Sequence, residues 1–345
     1  MKRTAVILGL VLAVWGAAAL AETHKNLQAV DSTGMGTHPD ITTPNKVTVE
    51  GIILNRPEYM VNGTPNYNQI AGNIGGEWQI YIQGDTSKDP NDHAGTAVWM
   101  GQNYQNRNGT GRYTNQEWVA EIDRLNYDPA TVHRFMPGDK VKVTGLLKFY
   151  GGKTNMNERH NTAPANDLTI ELITLGAGLP KPEVITLDQV KDGSDVFIFD
   201  PNRVTGCEKY QARLVRINDV SFVDDSGWAP NAELTITDGT RTFPVKLGIG
   251  PGITPGSNNL SSPFDIIAIF DQEDSVSTDG FKAGYRLWVT NYDGNGAVLA
   301  DGCDLHGIFS PADFNRDCRV NLSDFAIFAQ DWLIITNPLL MEPQE

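Results

Sequence analysis

The chain has few of the residues on which transition-metal, thiol and phosphate chemistry depend. Its histidines (His24, His38, His93, His133, His160 and His306) are scattered and form no HExxH pair, so a zinc-hydrolase reading has no ligands to rest on. No Ser-His-Asp or Cys-His wording points to a nucleophile. Basic residues are scarce: 27 Lys and Arg stand against 42 Asp and Glu, a formal charge of -15. A phosphate backbone needs a basic face and gains from counterion release, so this balance argues against a nucleic-acid partner. Beyond residue 20 no apolar run approaches the roughly 18 residues that cross a bilayer, and no membrane span is expected.

What the chain does have begins with a targeting pattern. Lys2 and Arg3 precede an apolar run from Thr4 to Leu20, and Ala19-Leu20-Ala21 offers small residues for cleavage before Glu22. Residues 1–21 therefore read as a signal peptide, and the mature protein as secreted, extracellular or associated with the cell envelope. Residues 22–45 are rich in Thr, Ser, Gly and Pro without periodicity and are expected to form a flexible lead-in.

From Lys46 the apolar spacing alternates. Strands are predicted at Val47–Leu54, Trp78–Gln83, Thr96–Met100, Pro137–Tyr150, Thr154–Asn157 and Leu168–Ile173, with a Gly151-Gly152 turn after Tyr150. Between the third and fourth of these, about 115–126, Trp118, Ile122 and Leu125 fall on one face of a helix. Trp99 and Met100 are adjacent, so only one of them faces inward. Leu179-Pro-Lys-Pro-Glu183 reads as a stiff linker, and 179–207 as linker and connecting region. A second set of strands follows in 208–292, where Pro263-Phe-Asp265 matches Pro137-Gly-Asp139 and no helix interrupts. The expectation is an internal duplication, mainly β, of two separate five-stranded barrels at 46–178 and 208–292. Strands, a helix, then further strands is an order that resembles the OB-fold, including OB-type domains of secreted bacterial nucleases.

Residues 313–324 have the spacing of a calcium loop. Asp313, Asn315, Asp317, Asn321 and Asp324 occupy positions 1, 3, 5, 9 and 12, and Arg319 at position 7 needs to give only its carbonyl. Phe325, Phe328, Trp332 and Leu333 then mark a short amphipathic helix. This EF-hand-like loop and helix, within a C-terminal module at 293–345, resembles one type I dockerin repeat. That resemblance implies Ca2+ as a structural ion and a cohesin-like protein or cell-surface scaffold as a partner. A dockerin normally has two such repeats, and one is clear here. Position 6 is Cys318 rather than glycine; a bridge to Cys303 would hold it there and, in the chain-entropy account, stabilise by roughly 3 kcal/mol. Cys207 is then left free and buried.

Of the aromatic residues, Trp118 reads as a barrel plug, and Trp228, in a Gly-Trp-Ala-Pro loop, as the candidate ligand-stacking ring. Carboxylates near predicted strand ends (Glu77, Asp139, Asp224, Asp225, Asp265, Asp271, Glu273 and Asp274) show no spacing that selects a catalytic pair, so no enzyme is expected. The function read from sequence is a secreted noncatalytic binding or scaffold-associated protein. Its barrels would contact a carbohydrate or protein, in a setting of polysaccharide breakdown. The alternative is an extracellular nucleic-acid-binding or nuclease-accessory protein, and the acidic charge favours the first.

Overall fold

The structure is a computed structural model and describes residues 21–67, 74–86, 90, 92–103, 112–159, 161–275, 278–294, 296–300, 312, 320 and 322–331. Residues 1–20 of the predicted signal peptide, Cys303, Cys318 and residues 313–319 and 321 of the predicted calcium loop lie outside the described residues. No helix among the described residues is long and apolar enough to cross a membrane.

The chain is mainly β and forms two closed five-stranded barrels. In the first, helix α1 (His24–Leu27) precedes β1 (Lys46–Ile53), α2 (Pro57–Met60), β2 (Glu77–Gln83), β3 (Gly95–Gly101), α3 (Asn115–Asn126), β4 (Lys140–Tyr150), β5 (Lys153–Asn157) and β6 (Thr169–Thr174). The strands run in the order β1-β2-β3-β5-β4, and β4 closes on β1 from Lys46↔Leu146 to Ile52↔Lys140, with β6 added to β4. The second barrel comprises β7 (Glu183–Ile185), β8 (Leu214–Asp224), β9 (Glu233–Thr237), β10 (Thr242–Leu247), β11 (Phe264–Gln272), β12 (Tyr285–Val289) and β13 (Val298–Leu299). It repeats the pattern as β8-β9-β10-β12-β11 closing on β8. The third-to-fifth pairing is parallel in both, β3 with β5 and β10 with β12. The two sheets share no strand, as the duplication reading requires.

Alternation decides what each strand buries. Val141 and Val143 point into the first barrel and Lys142 outward to Glu171, 2.7 Å away. Met100 is buried inside and Trp99 faces out, which settles the adjacent pair. Helix α3 starts at a capping box in which Thr114 Oγ1 accepts from Glu117 N (3.2 Å) and Glu117 Oε2 from Thr114 N (2.8 Å). It buries Trp118 and Leu125 in the end of the barrel, where the Trp118 indole donates to Gly63 O at 3.0 Å. The second barrel has its own core, with Phe243, Phe270 and Tyr285 at its centre. The last described element is α4 (Leu322–Asp331), the predicted short helix.

Two sequence expectations need correction. The lead-in at 22–45 is packed: Glu22 N donates to Thr48 O (2.7 Å), and His24, Leu27 and Gln28 are buried against the first barrel. His24 bridges Thr96 Oγ1 (2.8 Å) and Glu50 O (2.9 Å), while Gln28 makes reciprocal bonds with the backbone of Thr154. The arm is held by individual polar side chains, which periodicity does not register. The second barrel, likewise, begins near Glu183 rather than at 208. β7 pairs parallel with β8, and Leu187, Val190 and Cys207 enter the second core. Cys207 is free and fully buried, with Sγ 3.2 Å from Val190 O.

The barrels meet face to face. Leu54, Met60, Tyr81 and Ala97 from the first pack on Ala212, Leu214, Ile267, Ile269 and Trp288 from the second, a third apolar cluster made of outward-facing strand residues together with Met60 of α2 and residues flanking the strands. Gly95 is required at this contact, because a Cβ there would lie 2.0 Å from Ala212 O. At one edge of the contact Glu183 receives His93 Nε2 (2.9 Å), Arg213 Nη2 (3.2 Å) and Lys209 Nζ (3.5 Å). The His93 hydrogen bond, with the Arg213 and Lys209 charges, outweighs partial burial and lowers its carboxyl to about 2 from the ordinary 4.5. A depressed carboxylate stabilises the fold above its unfolded pKa and loses that contribution as pH falls toward its folded one. Urea unfolding should therefore show Glu183→Gln less stable than wild type at pH 6, with the gap closing between pH 4.5 and about 2. A gap that does not change across that window would remove Glu183 from the account of acid stability.

Candidate site in the cleft between the barrels

Where the outward faces diverge beyond the apolar contact they leave a cleft of about 400 Å³. One wall is the outer face of β2-β3-β5-β4, on which strand alternation places Glu77, Gln79, Trp99, Lys153, Asn155, Asn157, Lys148 and Tyr150. The other is the outer face of β9-β10-β12 with the end of β11, carrying Glu233, Lys246, Arg286, Trp288 and Glu273. The same outward periodicity that forms the interface supplies the lining.

Asp271, fully buried on β11, anchors the base. It accepts from Tyr81 Oη and Lys153 Nζ (2.9 Å) of the first barrel and from Arg286 Nε (2.8 Å) of the second. Burial alone would raise its pKa, but the Lys153 and Arg286 charges outweigh it and hold the carboxyl below its ordinary value. Arg286 also bonds Glu273 and lies with its guanidinium 4.7 Å over the Trp288 ring. Its own pKa is raised: burial lowers it, and Asp271 and Glu273 more than compensate. Arg286 and Trp288 are thus fixed before any ligand arrives.

Across the cleft, Trp99 Nε1 donates to Glu77 Oε1 at 3.1 Å. A side chain at residue 101 would collide with the indole at 2.6 Å, so Gly101 makes room for it. Burial raises the Glu77 pKa against the effect of the Trp99 hydrogen bond, and the negative charge of Glu273 adds to the rise. Aromatic rings, carboxyls and amides in one concave surface form a set that stacks on a sugar ring and hydrogen-bonds its hydroxyls.

The sequence-predicted site residues fall elsewhere. Trp228 is 5% exposed, donates from Nε1 to Ser257 Oγ (3.0 Å), and packs edge-on against Tyr292, so it closes an end of the second barrel and presents no face for stacking. Among the predicted calcium ligands Asp324 alone is described; it is buried in the first turn of α4, and the neighbouring Phe325 is 62% exposed. Of the strand-end carboxylates, Glu77, Asp271 and Glu273 come together here. Asp139 ties a turn, accepting from Met136 N and Gly176 N at 2.8 Å each. Arg286, Lys153 and Asn155 carried no signal beyond their outward position on alternating strands. No family model, curated protein or solved structure matches the chain.

Proposed function

We propose that this chain is a secreted, noncatalytic binding protein that holds a carbohydrate in the cleft between two OB-like barrels. Its C-terminal loop and helix would serve as a calcium-stabilised, dockerin-like attachment module. The observation that carries the reading is the cleft itself: Trp99 and Trp288 on facing walls, with amides and ion-paired charges between them, in a chain of formal charge -15. That overall charge weighs against the nucleic-acid alternative. The strand order, repeated in both copies with a helix between the third and fourth strands of the first, supports the OB-like reading. Titration calorimetry of the mature chain with soluble oligosaccharides tests it, with saturable binding that Trp99→Ala weakens about tenfold as the expected result.

The attachment module rests on the oxygen donors Asp313, Asn315, Asp317, Asn321 and Asp324, which suit a hard cation, and on the buried Asp324 carboxylate. Calcium would join these side chains and the Arg319 carbonyl and relieve their mutual repulsion, coupling metal binding to the order of the loop. Calcium should raise the melting temperature of the C-terminal segment and magnesium should do so poorly. Asp313→Ala should remove most of the effect and Asp331→Ala almost none. Equal losses from both substitutions would reduce the stretch to an acidic turn and withdraw the attachment role.

A further inference from the structure

Ion pairing and hydrogen bonding within the cleft leave one cation and two donors over among the described residues. Three carboxylates meet three cations: Asp271 pairs with Lys153 and Arg286, Glu273 with Arg286, and Glu233 with Lys246 at 3.6 Å and Arg286 at 3.7 Å. Lys148 is left over. It is half-buried on β4, directly across from Asn155 in the β4–β5 register, and has no ion-pair or hydrogen-bond partner among the described residues.

Two further donors lack an acceptor. Asn155, 6% exposed, receives the Asn157 amide on its Oδ1 (2.8 Å), while its own amide N–H groups are unused among the described residues. Trp288, 7% exposed, has a buried indole N–H without a partner among the described residues. The Asn155 amide and the Trp288 indole N–H are donors without acceptors, so the cleft favours a ligand rich in acceptors. Glu77 does not pair with Lys148: among the described residues its carboxyl is held by the Trp99 indole and joins no ion pair.

From the unpaired Lys148 beside these donors we infer that the cleft selects an anionic sugar chain, bearing carboxylate or sulfate groups. One acidic group pairs with Lys148 and takes the Asn155 amide, while the ring carrying it lies against Trp99. Neutral oligosaccharides keep the stacking and lose the charge-assisted bonds. The net negative charge of the whole protein opposes approach of such a chain only over long range, where salt screens it within about 10 Å, whereas the Lys148 contact acts at the site. This inference rests on the carbohydrate reading of the cleft and narrows it.

Titration calorimetry of the mature full-length chain against three oligosaccharides of equal length, one of uronic acids, one neutral and one neutral but sulfated, tests it. At least one acidic oligomer should bind about tenfold or more tightly than the neutral one, and the tighter arm identifies the acid. Lys148→Gln should bring the acidic affinity down toward the neutral level and cost neutral binding far less. Lys142→Gln, on the same strand but paired with Glu171, should change neither. Circular dichroism and melting of both variants establish that they fold. Equal binding of all three oligomers, or a Lys148→Gln loss shared equally by the neutral one, overturns the anionic selectivity and leaves the carbohydrate reading in place. Binding of none overturns both.

Discussion

Asp271→Ala should destabilise the folded chain by about 3–5 kcal/mol, because it leaves the buried Lys153 without a carboxylate and Arg286 with only the more exposed Glu273 and Glu233. Lys153 Nζ reaches Asp271 Oδ1 from the first barrel and Arg286 Nε reaches Oδ2 from the second, and the Tyr81 hydroxyl completes the set. The substituted carboxyl is wholly inaccessible to solvent, so water cannot take its place without opening the interface. Asp271→Asn should cost less, since an amide oxygen still accepts from Tyr81. Because the partners come from different barrels, the loss should also uncouple them: one cooperative urea transition in the wild type becomes two in the alanine variant. A shift below about 1 kcal/mol with a single transition retained would show that Asp271 is not the tie between the barrels.

Trp118→Ala is the second large effect, about 3–5 kcal/mol, and should be confined to the first barrel. The indole is fully buried, lies 5.8 Å from the Tyr113 ring and satisfies Gly63 O, so its removal leaves both a cavity and an orphaned carbonyl. Fluorescence and near-ultraviolet dichroism should report loss of the first barrel's signature while the Phe243–Phe270–Tyr285 core of the second persists. A loss below about 1 kcal/mol would mean that α3 closes the barrel by its backbone alone.

These two residues also show what is legible in sequence and what is not. Trp118 could be assigned from spacing, because a helix stripe that recurs with Ile122 and Leu125 has to face something apolar, and the end of a barrel was the only surface on offer. The strands and the two barrels were legible for the same reason: alternation such as Val141-Lys142-Val143 fixes which side chain enters the core. Asp271 was one of eight candidate carboxylates with nothing to rank it, since its partner Tyr81 is 190 residues away and outward-facing. A site made where two outward faces meet has no period of its own. Trp228 misled because its Gly- and Pro-flanked setting marks a loop, and a loop that folds back over a barrel end buries its ring. The N-terminal arm misled in the opposite way, since a few residues such as His24 and Gln28 hold a segment of loop-like composition in place.

Paired titrations of Trp99→Ala and Trp228→Ala separate a ligand held in the cleft between the barrels from one held at a barrel end. With the tightest-binding oligosaccharide, Trp99→Ala should lose about tenfold or more in affinity at near-wild-type stability, because its ring lies on the cleft wall. Trp228→Ala should lower the melting temperature and keep wild-type affinity at a temperature where it is folded. Wild-type affinity in Trp99→Ala together with a tenfold loss in folded Trp228→Ala would contradict the account and move the site to the end of the second barrel.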